Sequence, residues 1–114
     1  MRKHSWCYFV LPVAWLLYGA CAAANPYDWS VRSSVTRIEV TYMPDEIVFA
    51  LEAPAGPCPS GHNLRYTPAG ADVVSKASNA KAVLAVLLAA KTSGQHVLVY
   101  GSNQGCQARF VYIN

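Results

Sequence analysis

The amino-acid sequence predicts a mainly β domain with one helix, and three observations carry that prediction. Apolar and polar residues alternate in several short runs, the period-two pattern of half-buried strands. Clusters of Pro, Gly, Asn and Asp divide those runs. One stretch, SNAKAVLAVLLAAKTSG from Ser78 to Gly94, breaks the alternation with strong helix formers.

The first element to set aside is residues 1–24. Arg2, Lys3 and His4 form a basic end, Trp6 to Tyr18 an apolar core and Ala22-Ala23-Ala24 a small-residue cleavage site, the layout of an export signal cut after Ala24. Two other fates are compatible with the same residues. Cys21 follows Gly19-Ala20 and could accept a lipid, and an uncleaved apolar run would be a membrane anchor. Pro12 and the lack of basic stop-transfer residues favour cleavage. The protein is therefore expected to be secreted or periplasmic, with no membrane attachment unless it is lipidated at Cys21.

Residues 25–33 read as a polar amino-terminal arm, and 34–114 as the folded domain. In SVTRIEVTYM, Ile38, Val40 and Tyr42 fall on one face and Arg37, Glu39 and Thr41 on the other, a half-buried strand. Pro44-Asp45 makes a turn, because Pro presets φ and Asp can bond the following backbone. EIVFALE then gives a second strand with Ile47, Phe49 and Leu51 aligned, completing a hairpin. APAGPCPSGHN holds Cys58 in a loop, its prolines and glycines excluding a regular element. Leu64 to Thr67 is a short third strand ended by Pro68 and Gly70. The helix is expected from about Asn79 to Thr92, capped by Ser75 or Ser78 and stopped at Gly94. HVLVYG is a fourth strand, SNQG a turn, and CQARFVYIN a fifth in which Cys106, Ala108, Phe110 and Tyr112 share a face.

The resulting order, β-β-β-α-β-β, is that of a five-stranded OB-like barrel with its helix between the third and fourth strands. Val83, Leu84, Leu87 and Leu88 would plug the open end of such a barrel. Ala80, Val86 and Ala90 lie outside that stripe. They are either exposed good helix formers or a second apolar face buried against other copies of the chain, which makes a homo-oligomer one expected partner.

Charge excludes a further class of partner. The chain carries nine Lys and Arg against six Asp and Glu; removing Arg2 and Lys3 with the signal leaves seven against six, a net charge of about +1. Nucleic-acid binding has no electrostatic basis here. Of the four cysteines, Cys7 and Cys21 leave with the signal, so export and parity predict a Cys58–Cys106 disulfide. Closing a loop of that length contributes about 4 kcal/mol in the chain-entropy model. For a domain of 90 residues, what remains when 24 of 114 are removed, such a staple matters.

No residue pattern suggests catalysis. His62 and His96 have no serine in a nucleophile-elbow sequence to serve, Asp45 and Glu46 are adjacent in a turn, and no glycine loop cradles a phosphate. Cys58, His62 and Cys106 are too few for a zinc site, and the disulfide takes two of them. No metal and no cofactor is predicted. The candidate binding residues are Tyr27, Trp29 and Ser30, since an aromatic face takes the apolar face of a pyranose and a neighbouring hydroxyl orients it. The alternative is that these aromatics tack the arm onto the barrel.

The stretch RIEVTYMPDEIVFAL, then a cysteine-bearing loop, then LLAAKTSGQHVLVY with its junction Thr92-Ser93-Gly94-Gln95, resembles the B subunits of the subtilase cytotoxin and typhoid-toxin type. It is similar, too, to the small exported bacterial proteins related to that subunit. The resemblance runs over roughly Val35 to Tyr100. It implies an OB fold, a pentameric ring around the helices, and binding of sialylated host or cell-surface glycans through a shallow pocket. The serine that holds the sugar carboxylate in that family has its nearest counterpart in Ser30. The family's lysine in the loop after the second strand is replaced by Ala53-Pro54-Ala55-Gly56, and its cysteine within that strand by Ala50. The same residues are compatible with a second class of function, a periplasmic structural, interaction or inhibitor-type protein without a sugar site.

Overall fold

A computed structural model of the chain describes residues 26–113; the signal segment, its cleavage site and Cys21 lie outside the described residues. The elements are β1 (Trp29–Ser33), β2 (Val35–Glu39), β3 (Ile47–Leu51), β4 (Asn63–Tyr66), α1 (Val73–Ser93), β5 (Val97–Ser102) and β6 (Gln107–Ile113). The mainly β class with one helix is thus observed. All six strands belong to one sheet in the order β1-β5-β6-β4-β3-β2, antiparallel throughout except for a short parallel pairing of β4 with β6.

Two expectations are corrected at once. Among the described residues there are six strands, not five, and the hydrogen-bonded sheet is open, because β1 and β2 at its two ends do not pair with each other. Within the amino-terminal arm, residues 29–33 are β1, paired along their length with β5 from Trp29 opposite Gly101 to Ser33 opposite Val97. The physical reason is a change of partner. One extended stretch bonds to β5 up to Ser33 and to β3 from Val35 onward, so its two halves sit at opposite ends of the sheet order although only Ser34 separates them. The junction is well satisfied. The Ser33 hydroxyl donates to the Ser34 carbonyl and accepts from the Ala53 amide at 3.0 Å, and the Glu52 amide donates to the Ser34 carbonyl. That accounts for a serine among the buried residues.

The hairpin is shorter than its pattern suggests. Ile38 packs against the core, but β2 ends at Glu39; Val40 and Tyr42 are exposed, in or next to a turn in which the Tyr42 carbonyl accepts the amides of Asp45 and Glu46. β3 lies between β4 and the end strand β2 and is wholly buried. Ile47, Phe49 and Leu51 join the main core, as alternation predicts, while Val48 and Ala50 are buried outside it.

The helix begins six residues earlier than expected. Asp72, not a serine, is its N-cap: the carboxylate accepts the Ser75 amide at 2.8 Å, a bond that holds its pKa below the ordinary value. Gly94, at φ 78°, ends the helix as predicted, its amide donating to the Ala90 carbonyl. The buried stripe consists of Ala80, Val83, Leu87 and Ala90, with Leu84 at its margin. Ala80 and Ala90 therefore belong to the core, and Leu88, placed there by sequence, is 46% exposed. Small residues win these positions because α1 lies close over β2 and β6.

Cys58 and Cys106 form the expected disulfide, at a sequence separation of 48. It joins the loop after β3 to the turn between β5 and β6. Cys58 is buried in the core cluster and Cys106 packs against it.

Candidate functional site

The register of β1, β5 and β6 decides which side chains face solvent. Residues directly opposite one another in antiparallel strands lie on the same side. Val31, Val99 and Val111 thus form one row on the inner side, and Ser30, Tyr100 and Phe110 a row on the outer side, followed by Arg32, Leu98 and Tyr112.

Strict alternation puts Phe110 and Tyr112 on one face with Ala108, and this shared face is corrected. Tyr100 pairs with Phe110 but Gly101 pairs with Ala108, so Arg109 is an extra residue in β6 and forms a bulge. Beyond it the phase reverses. Ala108 is buried, whereas Phe110 and Tyr112 are 38% and 51% exposed.

These exposed rings gather around Tyr100. Its ring meets Tyr27 edge to face at a centroid distance of 4.5 Å, Tyr112 at 5.8 Å and Phe110 at 6.3 Å. Together with Pro26 they line a shallow, open hollow of about 290 Å³. That lies at the small end of the range for small-molecule sites. The tyrosines offer ring faces and hydroxyls at the rim, and Ser30 adds an exposed hydroxyl in register with Tyr100.

Of the three candidates taken from sequence, Tyr27 lines the hollow and Ser30 stands beside it. Trp29 does not. Its ring points inward, is 9% exposed, and its indole N–H donates to the Ser102 carbonyl at 3.1 Å. It fits because two glycines leave room: a Cβ on Gly101 would lie 2.0 Å from the ring, and one on Gly56 2.3 Å from it. Trp29 therefore anchors β1 and offers no face to a ligand. Tyr100, Phe110 and Tyr112 escape the sequence reading. The signal for Tyr100 is the alternation in VLVYG, which sets it opposite in phase to Val97 and Val99; the signal for the other two is hidden by the bulge.

A second hollow, of about 210 Å³, lies between the β2–β3 turn and the start of α1, where Asp45 and Lys76 border an apolar floor that includes Pro44, Pro68 and Val73. His62 and His96 are exposed, and among the described residues no three His, Cys, Asp or Glu side chains converge on a point that could hold a metal. Comparison of the chain with protein-family models, with curated proteins and with solved structures finds no match.

Proposed function

We propose that the chain is an exported, non-enzymatic binding module of the toxin B-subunit type, built as an OB-like barrel, which takes a sugar on the aromatic outer face of β1, β5 and β6. The observation that carries this reading is Tyr100 at the centre of three edge-to-face ring contacts on a solvent-open sheet face, with the Ser30 hydroxyl alongside. Rings fixed by one another present apolar faces at little entropic cost, which is what the C–H face of a pyranose requires. The barrel reading is supported by the two ends of the sheet being consecutive in the chain through Ser34, and by α1 standing between β4 and β5. Counted as one strand that changes partner, β1 and β2 reduce six strands to the five of an OB barrel.

A glycan array probed with the processed protein tests the sugar site. Wild type should bind a subset of glycans and Tyr100→Ala should lose at least tenfold in affinity, about 1.4 kcal/mol. An unchanged signal for that variant would move the site elsewhere.

One observation favours an assembly on a different surface. α1 is long and apolar enough to cross a membrane by length and composition, yet only 22% of its most apolar window is buried. Ala85, Leu88 and Ala89 lie on its uncovered side. Copies of the chain packed through this side in a ring would cover it, and a sedimentation equilibrium run should then show a species heavier than the monomer. A monomer at all concentrations would instead favour the periplasmic interaction or inhibitor class, with α1 open to another protein.

A further inference from the structure

Trp29 is gripped by two segments that belong to different parts of the chain. One is the loop after β3, where a Cβ on Gly56 would lie 2.3 Å from the five-membered ring of the indole. The other is the end of β5, where a Cβ on Gly101 would lie 2.0 Å from the six-membered ring and the Ser102 carbonyl accepts the indole N–H. The loop closes on itself, Ala55 and Cys58 exchanging backbone hydrogen bonds of 2.8 and 2.9 Å. Among the described residues no hydrogen bond runs from 55–58 to 101–106, so the direct tie between the two grips is the Cys58–Cys106 disulfide. The β5–β6 side also holds the residue before the tryptophan: the Asp28 amide donates to the Gly101 carbonyl at 2.7 Å, and its Oδ2 accepts the Asn103 amide at 2.9 Å. Next along the chain come Tyr27 and Pro26, two of the residues that line the aromatic hollow.

From these contacts we infer that the disulfide is a redox latch on the aromatic hollow: its reduction lets the Gly56 loop leave Trp29, frees the start of β1 from β5, and withdraws Tyr27 and Pro26 from Tyr100. The effect on a ligand rests on the sugar-binding reading above; the opening of the Trp29 slot does not. A ring packed on both sides loses its cover on one side when the loop moves off, and the chain entropy that the cross-link suppresses in the open state returns when the bond breaks. Tyr100, Phe110 and Tyr112 stay in place, because β5 and β6 remain paired from Val97 opposite Ile113 to Ser102 opposite Gln107. What opens is one part of the hollow and not the sheet. An exported chain meets an oxidising compartment, which keeps the latch closed. A dithiol reductant opens it. Cys106 is partly exposed and Cys58 is buried, so the incoming thiolate attacks the Cys106 sulfur, the S–S bond breaks, and the Cys58 sulfur leaves as a thiolate that takes up a proton. The second thiol of the reductant then displaces Cys106 from the mixed disulfide. Two electrons pass to the protein, which ends with two thiols, and the reductant ends as a disulfide.

The processed protein carries its own reporter, because Trp6 and Trp15 leave with the signal and Trp29 is the tryptophan that remains. Trp29 fluorescence, far-UV circular dichroism and glycan binding are compared for the oxidised protein, the protein reduced with dithiothreitol, and the double variant Cys58→Ala, Cys106→Ala. On reduction the emission should move to longer wavelength and become more open to acrylamide quenching, while the sheet and helix signal persists. Affinity for the glycan that the oxidised protein binds should fall by about tenfold or more, since the rings are no longer pre-organised. The double variant should match the reduced protein without any reductant, and reoxidation of the wild type should restore both emission and binding. Unchanged emission with both thiols titrated overturns the latch. Joint loss of the emission and of the circular dichroism signal overturns it as well, because the disulfide then holds the whole domain and not the slot. An emission shift with undiminished glycan affinity overturns the coupling to the hollow. If the oxidised protein binds no glycan, the sugar-binding reading fails, and the emission alone decides the latch.

Discussion

Trp29 and Tyr100 lie one register step apart in the same sheet and are used in opposite ways. Trp29 faces inward, fits between Gly56 and Gly101, and has its indole N–H bonded to Ser102. Tyr100 faces outward and is surrounded by other rings rather than by core. Both are large aromatics in short strands, so residue type does not separate them. What separates them is the partner across the ladder: Gly101 leaves a space that Trp29 fills, whereas Ser30 opposite Tyr100 leaves it a free face.

That contrast can be broken most forcefully from inside. Trp29→Ala removes a buried ring and a hydrogen bond and should lower unfolding stability by about 3 to 5 kcal/mol, measured by chemical denaturation. A loss below about 1 kcal/mol would mean that β1 is not anchored as described. Gly101→Ala tests the same site by overfilling it. The new methyl meets both the Trp29 ring and the Gln107 carbonyl, and the cost should be about 1 to 3 kcal/mol. Tyr100→Ala, which ought to damage sugar binding, should change stability by only about 0.5 kcal/mol or less, the usual range for surface positions. A large loss there would make the outer rings structural and erase the distinction.

Much of this fold is legible in the sequence. The turn at Pro44-Asp45, the alignment of Ile47, Phe49 and Leu51 and the helix end at Gly94 all follow from local chemistry that a single stretch contains, and the disulfide follows from export and cysteine parity. The start of α1 is less legible, because Asp72 caps a turn opening with Val73 and Val74, two weak helix formers. β1 is harder still. WSVRS has few large apolar residues, and its place depends on two glycines, 27 and 72 positions later, making room for one tryptophan. The candidate site is legible in part: Tyr27 and Ser30 lie at the hollow, Trp29 does not, and the rings from β5 and β6 join it through pairings between distant segments. No local rule places the Arg109 bulge, since nothing in CQARFVYIN marks where an extra residue enters the ladder.

Arg109 has a consequence beyond its own position. A single unit of chain length determines whether two aromatic rings become filling or ornament, with no change in which amino acids are present. For such a strand, a one-codon gain or loss could turn a sealed interior wall into a decorated exterior, or the reverse, more abruptly than any exchange of side chains.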